Sequence, residues 1–133
     1  MKQLRRDEGF RLAPYADSTG NLTIGVGRNL TSIGISAEEA EYLLGNDIYR
    51  AIAGINKFIP WAADLDDARY GAIINLTFNV GIGGVMNFEH FLAFMKERDW
   101  PNAAKEMLNS KWAEQVGLRA QRLAVQVETG IWQ

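Results

Sequence analysis

Three side chains that could carry out acid–base chemistry lie close together near the start of the sequence: Glu8, Asp17 and Thr23. Cleaving a glycosidic bond requires one carboxyl group that protonates the leaving oxygen and a second group that acts on the opposite face of the sugar. A hydroxyl beside the second carboxylate can hold the attacking water. The three residue types therefore fit glycoside hydrolysis, although a solvated hairpin with ordinary surface carboxylates would have the same composition.

The residues around these side chains predict a short helix followed by a β-hairpin. Gly9 can end the opening helix, which places Glu8 at the helix end. The turn-forming sequence Ser-Thr-Gly-Asn at 18–21 separates two short runs. Asp17 and Thr23 then lie on the two arms of the hairpin, so all three side chains can face one cleft.

Two glycines on the second arm, Gly25 and Gly27, admit two interpretations. Glycine inside a strand indicates a bulge or a close approach by another backbone or by a ligand. A strand that simply bends at its end would have the same pattern.

Helical patterns dominate the rest of the sequence. Ser36 and Glu39 form a capping box, and apolar residues then recur at helical spacing, which predicts a helix of about 20 residues ending near Lys57. The segment Ala68–Val80 is apolar on nearly all sides, as expected for a buried central helix, and Gly81 should end it. A mostly helical protein with one small hairpin follows.

Shorter signals divide the remaining segments. Asp64 or Asp66 can cap the central helix, Gly83 and Gly84 predict a turn, and Ser110 can cap a short helix. The other expected helices cover residues 88–95, 101–109, 111–116 and 118–128.

Composition excludes several classes of protein. The 133 residues include no cysteine and one histidine, so disulfides and multi-histidine metal sites are excluded, and we expect no metal and no cofactor. A net charge of −2 without a dense basic stripe argues against nucleic-acid binding. No apolar run is long enough to span a bilayer, so stable membrane insertion is not expected. We expect the protein to be a monomer.

Longer stretches of the chain resemble a known family. Glu8 is followed after eight residues by Asp17, after five more by Thr23, and then by Ile-Gly-Val-Gly. This pattern resembles the phage-type lysozymes of glycoside hydrolase family 24. The segments IINLTFNVG at 73–81, RAQR at 119–122 and TGIW at 129–132 resemble later parts of the same family.

The resemblance implies an α+β fold that is predominantly α-helical and lysozyme-like. Residues 1–133 would form a single lysozyme domain. A hairpin lobe at 10–35 would be joined by a connecting helix at 36–57 to a helical lobe at 58–133, which also includes the helix at 1–9. The gap before the connecting helix is shorter than in the family, so the small lobe should be trimmed.

The resemblance also implies an activity and the residues that carry it. The expected enzyme is an endolysin, a muramidase that hydrolyses the β-1,4 bond between N-acetylmuramic acid and N-acetylglucosamine in peptidoglycan with inversion. Glu8 would be the general acid, Asp17 would activate or steer a water, and Thr23 would hold that water. For Thr23, a strand residue without a chemical task is the alternative.

Supporting contacts are implied by the same family. Arg119 would approach Glu8, and Asp7 would pair with Arg122, although two independent surface charges are the alternative for that pair. Arg28 stands where the family commonly has histidine, so an ion pair at this position would not switch with pH.

Substrate contacts follow only in part. Phe78 and Asn79 match cleft-lining residues of the family, although Phe78 could instead belong to the core. The resemblance implies that Asn29 and Glu106 lie where the family binds saccharide, although neither position keeps the side chain found there. Phe91 replaces a binding serine, and we expect it in the core.

The opening residues lack the apolar segment of a signal peptide. We therefore expect the protein to stay in the host cytoplasm until a holin-type lesion gives it access to the cell wall. Hydrolysis of the wall would then lyse the host cell. Two other functions remain open: a lytic transglycosylase, which needs no catalytic base, and a non-enzymatic membrane-active or wall-binding protein.

Overall fold

The computed structural model describes residues 1–133 and confirms a predominantly helical α+β fold. The α-helices are α1 (Lys2–Glu8), α2 (Ala37–Phe58), α3 (Asp67–Met86), α4 (Glu89–Lys96), α5 (Trp100–Leu108), α6 (Lys111–Val116) and α7 (Leu118–Thr129). The strands are β1 (Arg11–Ala16), β2 (Leu22–Gly25) and β3 (Arg28–Asn29), and a 3-10 helix covers Pro60–Asp64.

The chain divides into two compact units, Met1–Leu44 and Gly45–Gln133, with the boundary inside α2. This division describes which residues pack together. The lobe boundaries implied by the resemblance, including the grouping of helix 1–9 with the helical lobe, stay predictions.

The first unit is built around an antiparallel sheet of order β1-β2-β3. The predicted helix ending at Gly9 and the hairpin are confirmed, and Gly9 has the positive φ of 80° that glycine adopts easily. The third strand was not predicted, because two residues are too few to show an alternating pattern. This strand pairs Thr23 with Asn29.

The predicted capping box opens α2. The backbone N–H of Glu39 donates to Ser36 Oγ at 3.1 Å, and the Ser36 N–H donates to Glu39 Oε2 at 2.7 Å. Two of the free N–H groups in this region are thereby satisfied. The helix ends at Phe58, one residue beyond the predicted end near Lys57.

The second unit is packed around α3. Asp66 caps this helix by accepting from the N–H of Arg69 at 3.2 Å, as one of the two predicted alternatives. Ile73 and Leu76 are fully buried, in agreement with the predicted central helix. The other buried apolar residues of this core include Ile55, Ile59, Val85, Phe91, Met95, Met107, Leu123 and Val127.

The predicted turn at Gly83 and Gly84 is wrong. Gly81, with φ 75° and ψ 163°, interrupts the helical geometry as expected, but the chain resumes a helix and continues to Met86. At Gly84 an added Cβ would lie 2.9 Å from the side chain of Val80. Close packing against Val80, and not a turn, therefore accounts for the missing side chain at position 84.

The later helices agree with their predicted spans to within about one residue at each end. Ser110 caps α6 as expected, by accepting from the N–H of Ala113. Asp99 caps α5 in the same way. No single helix is both long and apolar enough to cross a membrane; α3 and α4 together would meet that test, but they are bent by 104°.

Candidate active site

Glu8 is the last residue of α1, and its side chain lies against the backbone of Gly27. A Cβ placed on Gly27 would be 2.8 Å from Glu8 Oε2 and 3.2 Å from Glu8 Cβ. Gly27 has a φ of +70°, so its backbone also favours glycine. Gly25 is the last residue of β2 and Gly27 lies in the turn before β3, in agreement with the interpretation in which the strand bends at its end. Nothing lies within 4 Å of a Cβ on Gly25, and the group close to Gly27 is the Glu8 side chain.

Asp17 follows β1 directly and has three donors on one carboxylate oxygen. Its Oδ1 accepts from the backbone N–H of Asn21 at 2.8 Å, the backbone N–H of Thr19 at 2.9 Å and the Thr19 hydroxyl at 2.8 Å. These hydrogen bonds, the one from Asn21 first, hold the pKa of Asp17 below its ordinary value. The group is therefore an anion at neutral pH, and Oδ2 takes part in none of the three bonds.

Thr23 lies in β2 and is 5% exposed. Its hydroxyl donates to the backbone carbonyl of Asn21 at 3.1 Å. Because a hydroxyl has two further lone pairs, its oxygen stays able to accept a hydrogen bond. Asn21 thus connects the two residues, since its N–H binds Asp17 and its C=O binds Thr23.

Sequence reasoning did not assign a role to Thr19 or Asn21. Both belong to the turn cluster, and an Asp followed within four residues by Thr and Asn is the signal of a side-chain-capped turn. That signal predicts the turn but does not reveal that its backbone orients a candidate catalytic carboxylate.

Asn29 lies in β3 opposite Thr23. Its Oδ1 accepts from the backbone N–H of Ser32 at 3.0 Å, and its carbonyl accepts from Ile33 and Gly34. The side chain of Asn29 thus shapes the turn after the strand. Its predicted contact with saccharide stays a prediction.

Arg28, the other residue of β3, makes a two-pronged ion pair with Glu39 at the start of α2. Arg28 Nη1 donates to Glu39 Oε2 at 2.8 Å, and Nη2 donates to Oε1 at 2.7 Å. An ion pair at Arg28 was considered from the sequence, but Glu39 was not predicted as the partner, because the two residues are 11 apart and no periodicity relates them.

Phe78 and Asn79 lie on α3 in the second unit. Phe78 is 45% exposed, so the alternative that places it in the core is wrong. Asn79 Oδ1 accepts from the indole N–H of Trp112 at 2.6 Å, and Trp112 is only 6% exposed. Because the amide oxygen is used in this bond, the amide nitrogen can donate to a ligand.

Glu106 is partly exposed and lines a cavity of about 570 Å³ formed by α3, α4, α5 and α6. Phe88 and Trp112 supply aromatic walls, and His90 and Lys111 supply polar groups. Phe91 is 1% exposed, which confirms its expected place in the core. Binding of substrate by Glu106 stays a prediction.

Two of the predicted supporting residues, Arg119 and Asp7, have partners within their own units. Arg119 Nε and Nη2 donate to Asn75 Oδ1 at 3.0 and 2.7 Å, which fixes the guanidinium beside α3. Asp7 accepts from Arg6 Nε at 2.8 Å, and Arg122 is exposed. The relations of Arg119 to Glu8 and of Asp7 to Arg122 stay predictions.

Comparison with known proteins identifies the family. The model of the family described as phage lysozyme matches residues 5–126. The chain is 31% identical to "Probable T4-type lysozyme 1" of Dictyostelium discoideum over 156 positions, which cover 96% of this chain and 92% of that protein. It is 33% identical to an "Endolysin" of Acyrthosiphon pisum secondary endosymbiont phage 1, covering 84% of this chain and 75% of that one.

A further relative is the "Pre-baseplate central spike protein Gp5" of Enterobacteria phage T4. It is 32% identical over 157 positions that cover 97% of this chain but 27% of the spike protein. The chain belongs to the phage lysozyme family. It is a lysozyme, a hydrolase that acts on peptidoglycan.

Proposed function

We propose that this lysozyme is an inverting muramidase that cleaves the β-1,4 bond between N-acetylmuramic acid and N-acetylglucosamine. Glu8 acts as the general acid, Asp17 activates or steers the attacking water, and Thr23 accepts a hydrogen bond from that water. The observation that supports these roles best is the link through Asn21, which binds both the ionised carboxylate of Asp17 before the turn and the buried hydroxyl of Thr23 after it.

The division of labour follows from the surroundings of the two carboxyl groups. Asp17 has donors that stabilise its anion, so it suits the role that needs a charged carboxylate. Glu8 is exposed at a helix end, and its carboxyl group has no donors like those that stabilise the anion of Asp17. Only a protonated carboxyl can give a proton to the glycosidic oxygen.

We propose that the protein acts as an endolysin, which stays in the host cytoplasm until a holin-type lesion exposes the wall, and then lyses the host.

Clearing of a turbid cell-wall suspension tests the catalytic roles. Because general acid–base groups contribute roughly 10²–10⁴-fold to rate, Glu8→Gln and Asp17→Asn should each slow clearing by at least about 100-fold. Glu38→Gln and Asp64→Asn are the matched controls, since both are exposed carboxylates whose side chains make no hydrogen bond. Equal rates for Glu8→Gln and Glu38→Gln would exclude the acid role.

Product analysis separates the mechanisms. NMR of freshly cleaved product should show inverted anomeric configuration, and a retained anomer would contradict the role of Asp17. Anhydro-muramoyl ends in the mass spectrum would identify a lytic transglycosylase instead. Clearing that is unchanged in all variants, together with release of dye from lipid vesicles, would point to a membrane-active protein.

A further inference from the structure

The ion pair between Arg28 and Glu39 carries more hydrogen bonds than a simple surface pair. Besides the two bonds between the side chains, Arg28 Nη1 donates to the carbonyl of Gly34 at 3.1 Å. Glu39 Oε2 also accepts the N–H of Ser36 at 2.7 Å. The pair therefore fixes three pieces of backbone: the strand β3, the turn that follows it and the first turn of α2.

The backbone held by this pair is the backbone on which two candidate catalytic residues depend. Arg28 pairs with Ile24 of β2, one residue after Thr23, and the N–H of Leu30 donates to the carbonyl of Leu22 at 2.7 Å. The residue preceding Arg28 is Gly27, against which the side chain of Glu8 lies. A shift of β3 would thus move the threonine and the contact surface of the acid together.

The ion pair is partly exposed, since the side chains of Arg28 and Glu39 are 37% and 41% accessible to solvent. It lies beside a groove of about 970 Å³ whose walls are mainly apolar, including Leu30, Ile35 and Leu43. Isolated exposed ion pairs contribute little, but a bidentate arginine–carboxylate pair with further hydrogen bonds is the geometry that does contribute. The hydrogen bonds from Arg28 lower the pKa of Glu39 to about 2, so the carboxylate stays ionised throughout the neutral range.

We propose that the Arg28–Glu39 ion pair is a positioning element of the active site, which holds β3 and Gly27 so that Thr23 and Glu8 keep their catalytic placement. This inference rests on the catalytic roles proposed above. Neither residue of the pair touches the substrate in this role.

One substitution separates the ion pair from the helix cap. Glu39→Gln keeps an oxygen that can accept the N–H of Ser36, because glutamine also completes a capping box, but it removes the charge and one of the two acceptors for Arg28. Arg28→Lys keeps the positive charge but loses the two parallel N–H donors of the guanidinium group. Its effect should therefore lie between those of the parent and Glu39→Gln. Glu38→Gln, the neighbouring exposed glutamate, is the control.

Two measurements on the full chain test the inference. The first is the rate of wall clearing at saturating and at limiting substrate, at a temperature where every variant is folded. Small displacements of reacting groups lower the reaction rate strongly. The clearing rate of Glu39→Gln at saturating substrate should therefore be about tenfold lower than that of the parent, while the substrate concentration that gives half of the maximal rate stays unchanged. The second is hydrogen exchange of the Leu30 amide, which should become faster in Glu39→Gln and stay unchanged in Glu38→Gln.

The outcomes decide between positioning and ordinary stabilisation. A purely structural pair would lower the melting temperature of Glu39→Gln and leave its saturating rate equal to that of Glu38→Gln, and this result would overturn the inference. If the parent chain does not cleave peptidoglycan, the proposed catalytic roles fail, and the exchange of Leu30 then decides the inference. Unchanged exchange in Glu39→Gln overturns it, and faster exchange supports the placement of β3 by the pair.

Discussion

Alanine substitutions at Gly25 and Gly27 provide a matched test of the place assigned to Glu8. Both residues have positive φ, +69° and +70°, so either substitution should cost about 1–2 kcal/mol of stability from backbone strain. Only at position 27 would the new Cβ meet another group, Glu8 Oε2 at 2.8 Å. Because ordinary contact begins at 3.4 Å, the carboxylate must move by roughly 0.6 Å.

The magnitude follows from that displacement. A shift of about 1 Å at a reacting group can cost about 100-fold in rate, so a shift of 0.6 Å is expected to cost on the order of tenfold. The end of a glutamate side chain moves easily, so the extra loss of stability in Gly27→Ala over Gly25→Ala should be small. Gly27→Ala should therefore lose activity while its stability matches that of Gly25→Ala.

The assay combines thermal unfolding with wall clearing well below the melting temperature. Gly25→Ala should show the shared loss of stability and retain most of the parent's activity. If both variants clear the wall at the same rate, contact with Gly27 does not place the acid, and the assignment of Glu8 loses its geometric support.

Three other predictions follow from the same contacts. Asn79→Ala should lose about 1–3 kcal/mol, because it leaves the buried indole N–H of Trp112 without an acceptor; chemical unfolding measures this, and a neutral result would contradict the bond. Ile73→Ala should lose about 2–5 kcal/mol in the same assay, since Ile73 is fully buried, and a loss below 1 kcal/mol would contradict that placement. The ion pair between Glu39 and Arg28 should contribute fully to the stability of the folded protein above pH 4.5, the ordinary pKa of glutamate, and lose that contribution as pH falls towards about 2, because the pKa of Glu39 is depressed in the folded state. The free energies of unfolding of the parent and of Glu39→Gln, measured in urea across this pH range, should therefore converge. A difference between them that stays constant with pH would refute the shift.

Local signals made much of the fold predictable. Two helix caps are hydrogen bonds between residues only three apart: Ser36 with Glu39, and Ser110 with the N–H of Ala113. Both partners of each bond therefore lie within one short stretch of sequence, where the pattern can be recognised. Asp66 acts in the same way at the start of α3. Apart from the end of α3, which lies at Met86 and not at Gly81, the predicted helix ends were accurate, because each is determined by a few neighbouring residues.

Contacts between distant residues were not predictable in this way. Arg28 meets Glu39 across 11 residues, and Asn79 meets Trp112 across 33, and neither pair has a repeating pattern. The glycine at 84 illustrates a related difficulty, since a glycine required by packing and a glycine required by a turn look the same in a sequence. The candidate catalytic residues were identified by the spacing shared with a family, and their local geometry, such as the bridging role of Asn21, came only from coordinates.

Within residues 1–44, Thr23 is the one buried side chain, whereas the apolar core is drawn from residues 51–127. Since burial of apolar surface is the main source of stability, moderate heat should loosen the first 44 residues while the remainder keeps its structure. Lytic activity would then fade at a lower temperature than the principal calorimetric transition. Saccharide fragments that bind only when the first 44 residues are folded should raise the temperature at which activity is lost, by mass action. The difference between that temperature and the principal calorimetric transition should then become smaller.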